Sequence, residues 1–178
     1  MKLSHEQLLA LRLSEDDARS VVRRPVVGVL EDIRSLYNVG SCFRTADGMM
    51  LERLVLTGYT PAPPRKEISK TALGAERVIP WEHYADRQEG IERLRREGYA
   101  IWGVELTDDA VRLDRIAEIG LPDRLALVFG NELRGIQPET LALCDRTVMI
   151  PMAGVKHSYN VAVSFGVVMW EITRDRTA

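Results

Sequence analysis

Three stretches of the chain gather side chains able to bind and position a ligand: NVGSCFRTADGM (38–49), FGNELRGI (129–136) and IPMAGVKHSYN (150–160). They supply an arginine (Arg44), a carboxylate (Glu132), two carboxamides (Asn38 and Asn160) and a hydroxyl (Ser158). Such a set can hold reacting groups in line and stabilise charge. Several commoner chemistries are excluded. Gly130 and Gly135 have the glycine spacing of a P-loop, but Gln137, two places on, breaks the Lys-Ser/Thr that must follow. No G-x-G-x-x-G follows any apolar run, so a dinucleotide-dependent oxidoreductase lacks its fingerprint. Ser158 sits beside His157 outside any G-x-S-x-G elbow, and adjacent side chains point apart, which argues against hydrolysis. His5, His83 and His157 have no ligand spacing with one another or with Cys42 and Cys144, so no metal is expected.

The elements that must position these groups alternate from residue 26 onward. VVGVLED (26–32) reads as a buried strand, and Asn38 as the cap of a helix running to about Met50. RLVLTG (53–58) is a second strand, closed by Gly58 and by Pro61, Pro63 and Pro64. A short helix is expected within ISKTALGAE (68–76), stopping near Gly74, followed by a short strand in RVIPW (77–81) and a charged helix over 86–97 ended by Gly98. YAIWGVEL (99–106), LALVFG (125–130) and RTVMIPM (146–152) are further strands, and 160–172 is a closing helix. The expectation is an α/β fold, a mostly parallel sheet with helices on both faces. Ligands of such sheets bind beyond the strand carboxyl ends, and each polar stretch follows a strand. Residues 1–24 read as a helical arm with Leu8, Leu9, Leu11 and Leu13 making apolar contacts, and 25–178 as a single domain without repeats.

The chain has 178 residues, 46% hydrophobic and 28% charged, a size and composition suited to one globular domain with one core. It has neither a membrane-spanning run nor a signal-peptide core, so a cytoplasmic location is expected. Cys42 and Cys144 have no close partner, and a disulfide is not expected; Cys42 reads as a small apolar residue. The net charge of −2 weighs against a nucleic-acid partner. Two local basic groups, Arg19, Arg23 and Arg24, and Arg65, Lys66 and Lys70, are either phosphate contacts or solvated faces.

The three stretches, in this order and spacing, resemble the three motifs of the SpoU/TrmH branch of the SPOUT RNA methyltransferases. NVGSCFRTADGM is similar to the first, with an asparagine and an arginine six residues later. LVFGNELRGI is similar to the second through its Gly-Asn-Glu, and IPMAGVKHSYNVAVSFGVVMWE to the third through Ser-x-Asn opening a helix. The resemblance covers about residues 25–173. It implies a C-terminal trefoil knot, S-adenosylmethionine as cofactor, tRNA or rRNA rather than DNA as partner, no membrane, and a homodimer whose active sites draw on both chains. The activity implied is methylation of a ribose 2′-hydroxyl. A base-methylating enzyme of the same fold and a non-catalytic RNA-binding or assembly factor are the alternatives.

The resemblance also implies roles. Arg44 becomes a catalytic arginine. Because guanidinium holds its proton to a pKa above about 12, orienting the 2′-oxygen and stabilising charge on it suits Arg44 better than acting as a base. Asn38 positions substrate or Arg44 besides capping; Glu132, otherwise a carboxylate at a helix start, holds Arg44 or the RNA. Ser158 and Asn160, both suited to cap the last helix, line the transfer centre, Ser158 through the ribose and Asn160 through the cofactor or Arg44. The cofactor-binding candidates are Val104, Glu105, Leu106 and Thr107; Phe129, Gly130 and Asn131; and Ile150, Met152, Ser158, Tyr159 and Asn160. Gly130 permits close backbone approach, whereas Ile150 and Met152 also suit a plain core. Leu133 and Tyr159 depart from the family's frequent glycine and leucine. The helix VAVSFGVVMWEI is apolar nearly all round, with Ala162 and Gly166 allowing another backbone close, which fits a dimer interface or a core. RNA-binding extensions are missing beyond the arm and the 61–75 loop.

Overall fold

The computed structural model describes residues 2–175, without the side chains of His5, Leu8 and Leu9. Among these residues seven strands form one sheet: β1 (Arg24–Glu31), β2 (Leu51–Thr57), β3 (Trp81–Tyr84), β4 (Ala100–Val104), β5 (Val111–Arg112), β6 (Leu125–Phe129) and β7 (Arg146–Met149). Their order is β3-β2-β1-β6-β4-β7-β5, and every pairing is parallel. Strands covered on both faces read as continuous apolar runs, as LALVF of β6 does with all five residues buried.

Successive strand residues face opposite layers. Val26 and Leu30 of β1 join a core with Val39 and Phe43 of α3 (Leu36–Gly48), Ile68 of α4 (Lys66–Ala72) and Phe165 and Met169 of α7 (Val161–Thr173). Val27 and Val29 face Ile91 and Leu94 of α5 (Arg87–Arg96) and Leu141 of α6 (Pro138–Leu141). Gly28 makes the first layer possible, since a Cβ there would lie 2.7 Å from the Phe165 ring. After β4 and β5 the chain returns to insert β6 between β1 and β4, and β7 then enters between β4 and β5. This rethreading accords with the knotted C-terminal third that the resemblance implies.

Some local expectations are corrected. The N-terminal segment forms two short helices, α1 (His5–Ala10) and α2 (Glu15–Ser20), because Ser14 caps the second by accepting the Asp17 N–H at 3.1 Å. Leu11 and Leu13, expected to make contacts, are 74% and 53% exposed; Leu8 and Leu9 have side chains outside the described residues. The RVIPW strand is displaced. Ala75–Arg77 is a 3-10 turn, and β3 begins at Trp81, after Pro80, which lacks the N–H a ladder needs. α4 starts earlier than expected and ends through Leu73 and Gly74, at φ 54° and 97°. β5 and α6 were too short to show a period.

Candidate active site

Because the strands are parallel, their carboxyl ends share one edge, and the three polar stretches leave β1, β6 and β7 there. A cleft of about 360 Å³ opens at this edge. Of the cofactor candidates, Val104, Glu105, Leu106, Phe129, Gly130, Asn131, Ile150, Met152, Ser158 and Tyr159 line it. Thr107 and Asn160 do not. The Thr107 hydroxyl turns back to Thr147 Oγ1 at 2.6 Å and Asp109 at 2.7 Å. Residues 132–136, Glu132 among them, add to the wall, a contribution that the spacing of Gly130 and Gly135 could have suggested, and Met149, His157, Val161 and Ser164 complete it.

The 130–137 loop is held rigidly. Asn131 and Gly135 exchange backbone hydrogen bonds at 3.0 and 2.9 Å. The Asn131 side chain accepts from the N–H groups of Leu133 and Arg134 and donates to the Asp32 carbonyl and the Tyr59 hydroxyl. With its carboxamide so occupied, Asn131 can meet a ligand only through its backbone. A Cβ on Gly130 would stand 2.2 Å from Gly135 C and Ile136 N, so the close approach this glycine permits is that of its own loop. Two carboxylates from flanking strands fix the next amides. Glu105 Oε2 accepts the Ile136 N–H at 3.0 Å, and Glu31 Oε1 accepts the Gln137 N–H at 2.7 Å. Glu31 is 1% exposed, and burial pushes its carboxyl above the ordinary value. Its Oε2 and the buried Thr140 hydroxyl face each other without forming a well-aligned hydrogen bond and have no other partner among the described residues, and the hydroxyl offsets part of the effect of burial.

At the mouth of the cleft one polar line joins the three motifs. Ser35, not Asn38, caps α3, accepting the Asn38 N–H at 3.3 Å. The Asn38 side chain, freed from capping, donates to Glu132 Oε1 at 3.1 Å and accepts from Asn160 Nδ2 at 3.3 Å. Glu132 Oε2 takes the Arg34 N–H at 3.3 Å. Asn160 caps α7 by accepting the Ala162 N–H at 2.9 Å; Ser158 lies before the helix, in the cleft wall.

Arg44 is not part of this line. It is exposed on α3, without a hydrogen bond or ion pair among the described residues. Six helical residues turn the chain by about 240°, so Arg44 and Asn38 point about 120° apart, and neither Glu132 nor Asn160 holds the arginine within one chain. The first basic group is structural. Arg23 donates to the carbonyls of Ala18 at 2.6 Å and Val78 at 3.3 Å, Arg24 to that of Met49 at 2.5 Å, and Arg19 pairs with Asp16 at 3.4 Å.

Residues 25–170 match the model of the SpoU rRNA Methylase family. The chain is 32% identical over 162 residues to the 23S rRNA (guanosine-2'-O-)-methyltransferase RlmB of Neisseria meningitidis, covering 91% of this chain and 63% of that one. It is 31% identical to the same enzyme of Vibrio parahaemolyticus, covering 96% and 68%. The chain thus spans about two thirds of the length of these relatives. In fold it is similar to an AdoMet-bound rRNA methyltransferase from Sinorhizobium meliloti, with a TM-score of 0.80 at 24% identity over 90% of this chain and 61% of that one. A TrmH/SpoU tRNA modifying enzyme from A. aeolicus gives 0.76 at 22%, over 91% and 82%. With its motifs gathered at one cleft and the family model spanning its sheet, the chain belongs to the SpoU rRNA methylase family.

Proposed function

We propose that the chain transfers a methyl group from S-adenosylmethionine to a ribose 2′-hydroxyl of RNA, working as a cytoplasmic homodimer in which 25–178 is the catalytic domain and 1–24 an arm. The observation that carries this reading is the line Glu132–Asn38–Asn160, which brings all three motifs to the mouth of one cleft. The cleft suits the cofactor. Phe129, Ile136, Ile150 and Met152 give it an apolar lining for an aromatic base, and the backbone at Gly130 and Asn131 gives a polar wall.

When bound, the cofactor supplies a methyl group already activated on sulfonium. The protein therefore has to align and desolvate, without a strong base. Ser158, in the cleft wall, orients the ribose, and Asn160, held by Asn38 beside the mouth, positions the cofactor. As the 2′-hydroxyl gives up its proton to solvent water, the permanently charged Arg44 guanidinium stabilises the negative charge left on the 2′-oxygen. DNA lacks that oxygen. The relatives named for 23S rRNA make rRNA the first substrate to try.

The exposed face of α7 supports the dimer. Val163, Val167 and Trp170 are exposed at 49%, 41% and 61%, at spacings of four and three along one face, and Gly166 beside them has open space at its Cβ position. α3, which carries Arg44, packs against α7. A second copy on this face would bury the stripe and bring Arg44 to a neighbour's cleft, completing a site that one chain leaves open. No helix among the described residues is long and apolar enough to cross a membrane.

Transfer of labelled methyl from S-adenosylmethionine to unmodified 23S rRNA and tRNA tests the reading. Label in an alkali-resistant dinucleotide supports it. Label on a base, or none despite cofactor binding, contradicts it.

A further inference from the structure

Positive charge is distributed unevenly between the two edges of the sheet. At the amino-terminal edge arginines are paired with acids: Arg53 with Glu52 and Glu97, Arg95 with Asp145, Arg124 with Glu52. At the carboxyl edge, Arg34, Arg65, Lys66, Lys70, Arg134 and Lys156 are exposed, and none of their side chains makes an ion pair or hydrogen bond among the described residues. Arg34 follows β1, Arg65 and Lys66 follow β2 at the start of α4, and Arg134 follows β6. These three strands are neighbours in the sheet. The connection after β4 carries the opposite sign through Asp108 and Asp109, while Asp114 beyond it is paired with Arg112. The edge therefore has a cationic shoulder over β1 and β2 and an anionic one toward β5, divided by the cleft. A net charge of −2 conceals this.

The cationic shoulder is also rigid. A Cβ on Gly40 of α3 would lie 2.2 Å from the Ile68 carbonyl oxygen of α4, and Thr71 Oγ1 donates to the Tyr37 carbonyl at 2.9 Å. α3 and α4 thus move as one body. Tyr37 lies on this seam and is 49% exposed; Glu67, the one acid of α4, is half-buried. Exposed cations around an exposed aromatic ring suit a phosphate backbone with an unpaired base.

We infer that the RNA flanking the target nucleotide lies across the α3–α4 shoulder, with Arg65, Lys66 and Lys70 on its phosphates and Tyr37 stacked on an unpaired base. The inference rests on the RNA methyltransferase reading and adds the direction in which substrate leaves the cleft.

The test measures binding of polyuridylate and of a 23S rRNA transcript over a salt series, together with methyl transfer and calorimetric cofactor binding. The wild-type chain is compared with the Arg65→Glu, Lys66→Glu, Lys70→Glu triple variant, each single variant, Tyr37→Ala, and Arg96→Glu at the opposite edge as control. The triple variant is expected to lose more than about tenfold in RNA affinity and to flatten the slope of log affinity against log salt by roughly 2, at about 0.7 for each of three phosphate contacts to single strands. Cofactor affinity stays unchanged, Tyr37→Ala weakens RNA binding severalfold, and Arg96→Glu has no effect. The exposed single variants show the same trend in smaller steps. A triple variant binding RNA within twofold of wild type with the same slope, while the wild type methylates RNA, overturns the inference alone. RNA binding lost in the triple variant, with no methyl transfer even by the wild type, supports the shoulder and contradicts the proposed function. A wild-type chain that binds neither RNA overturns both.

Discussion

Asn38 donates its side-chain amide to Glu132 across 94 residues of chain, at 3.1 Å. The other Glu132 oxygen accepts the Arg34 N–H, so the carboxylate is an acceptor at both oxygens and fixes which way the Asn38 amide faces. The Asn38 oxygen is thereby turned toward Asn160. One side chain sets the relative placement of three motifs.

Replacing that amide by a carboxylate should do more harm than removing it. Asn38→Asp sets two carboxylates in contact and pushes Glu132 away, whereas Asn38→Ala only leaves a gap. The expected order of kcat/KM is wild type, then Ala, then Asp, with Asp down about 100-fold, the scale of roughly an ångström of misplacement. Steady-state methyl transfer checks it, and Asp equal to wild type would mean the contact is incidental.

Glu105 acts on the cleft by holding its wall. Glu105→Ala leaves the Ile136 N–H without its acceptor, at a cost of about 1–3 kcal/mol, and should weaken cofactor binding about tenfold with a lower Tm. Glu105→Gln keeps an acceptor oxygen and should recover most of both. Calorimetric titration with S-adenosylmethionine and a thermal scan measure the two together.

The strands and the location of the site were legible in the sequence because burial on both sheet faces writes a long apolar run, and because each polar stretch directly follows one. The internal partners were not. Nothing local says that Ser35 rather than Asn38 caps α3, since both residue types cap and only the direction of the entering chain decides. Arg23 reads as either a phosphate contact or a solvated charge, yet its guanidinium closes the backbone of the N-terminal arm against Val78, a relation between distant segments. Asn131 reads as a cofactor contact through its backbone, and only the folded chain shows that the four hydrogen bonds of its carboxamide are all internal. Arg44 stood out by motif, and only the helix geometry shows that it faces away from the groups expected to hold it.

Glu31 gives the fold a pH dependence of definite sign. Burial raises its folded-state pKa above the ordinary 4.5, so its contribution to stability is fully present below about 4.5 and is lost as pH rises through the folded value. Above that value the buried carboxylate is a burden. Glu31→Gln keeps the acceptor for the Gln137 N–H and offers an N–H toward the Thr140 hydroxyl that faces it. It should raise Tm at pH 7 by about 2–4 °C, the shift that about 1 kcal/mol produces in a chain of this size, with the gain shrinking on acidification. Thermal scans between pH 4 and 8 check this, and a gain that grows in acid would contradict it.

Trp170 tests the dimer. Trp170→Glu places a charge on the largest and most exposed residue of the α7 stripe and should convert the dimer to a monomer in sedimentation velocity. Methyl transfer should fall with it, while unfolding remains cooperative, since the side chain is exposed within one chain. A monomeric wild-type protein, or a monomeric variant with full activity, would remove the dimer from the account.

The most direct measurement is methyl transfer by Arg44→Ala beside wild type, with cofactor affinity measured on both. Because Arg44 makes no hydrogen bond or ion pair within the described chain, its loss should leave folding intact and S-adenosylmethionine affinity within a few-fold, while transfer to RNA falls by about 100-fold or more, the scale of a lost charge-stabilising donor. Full transfer without Arg44, or a collapse of cofactor affinity instead, would contradict its placement at the reacting oxygen and with it the catalytic reading of the site.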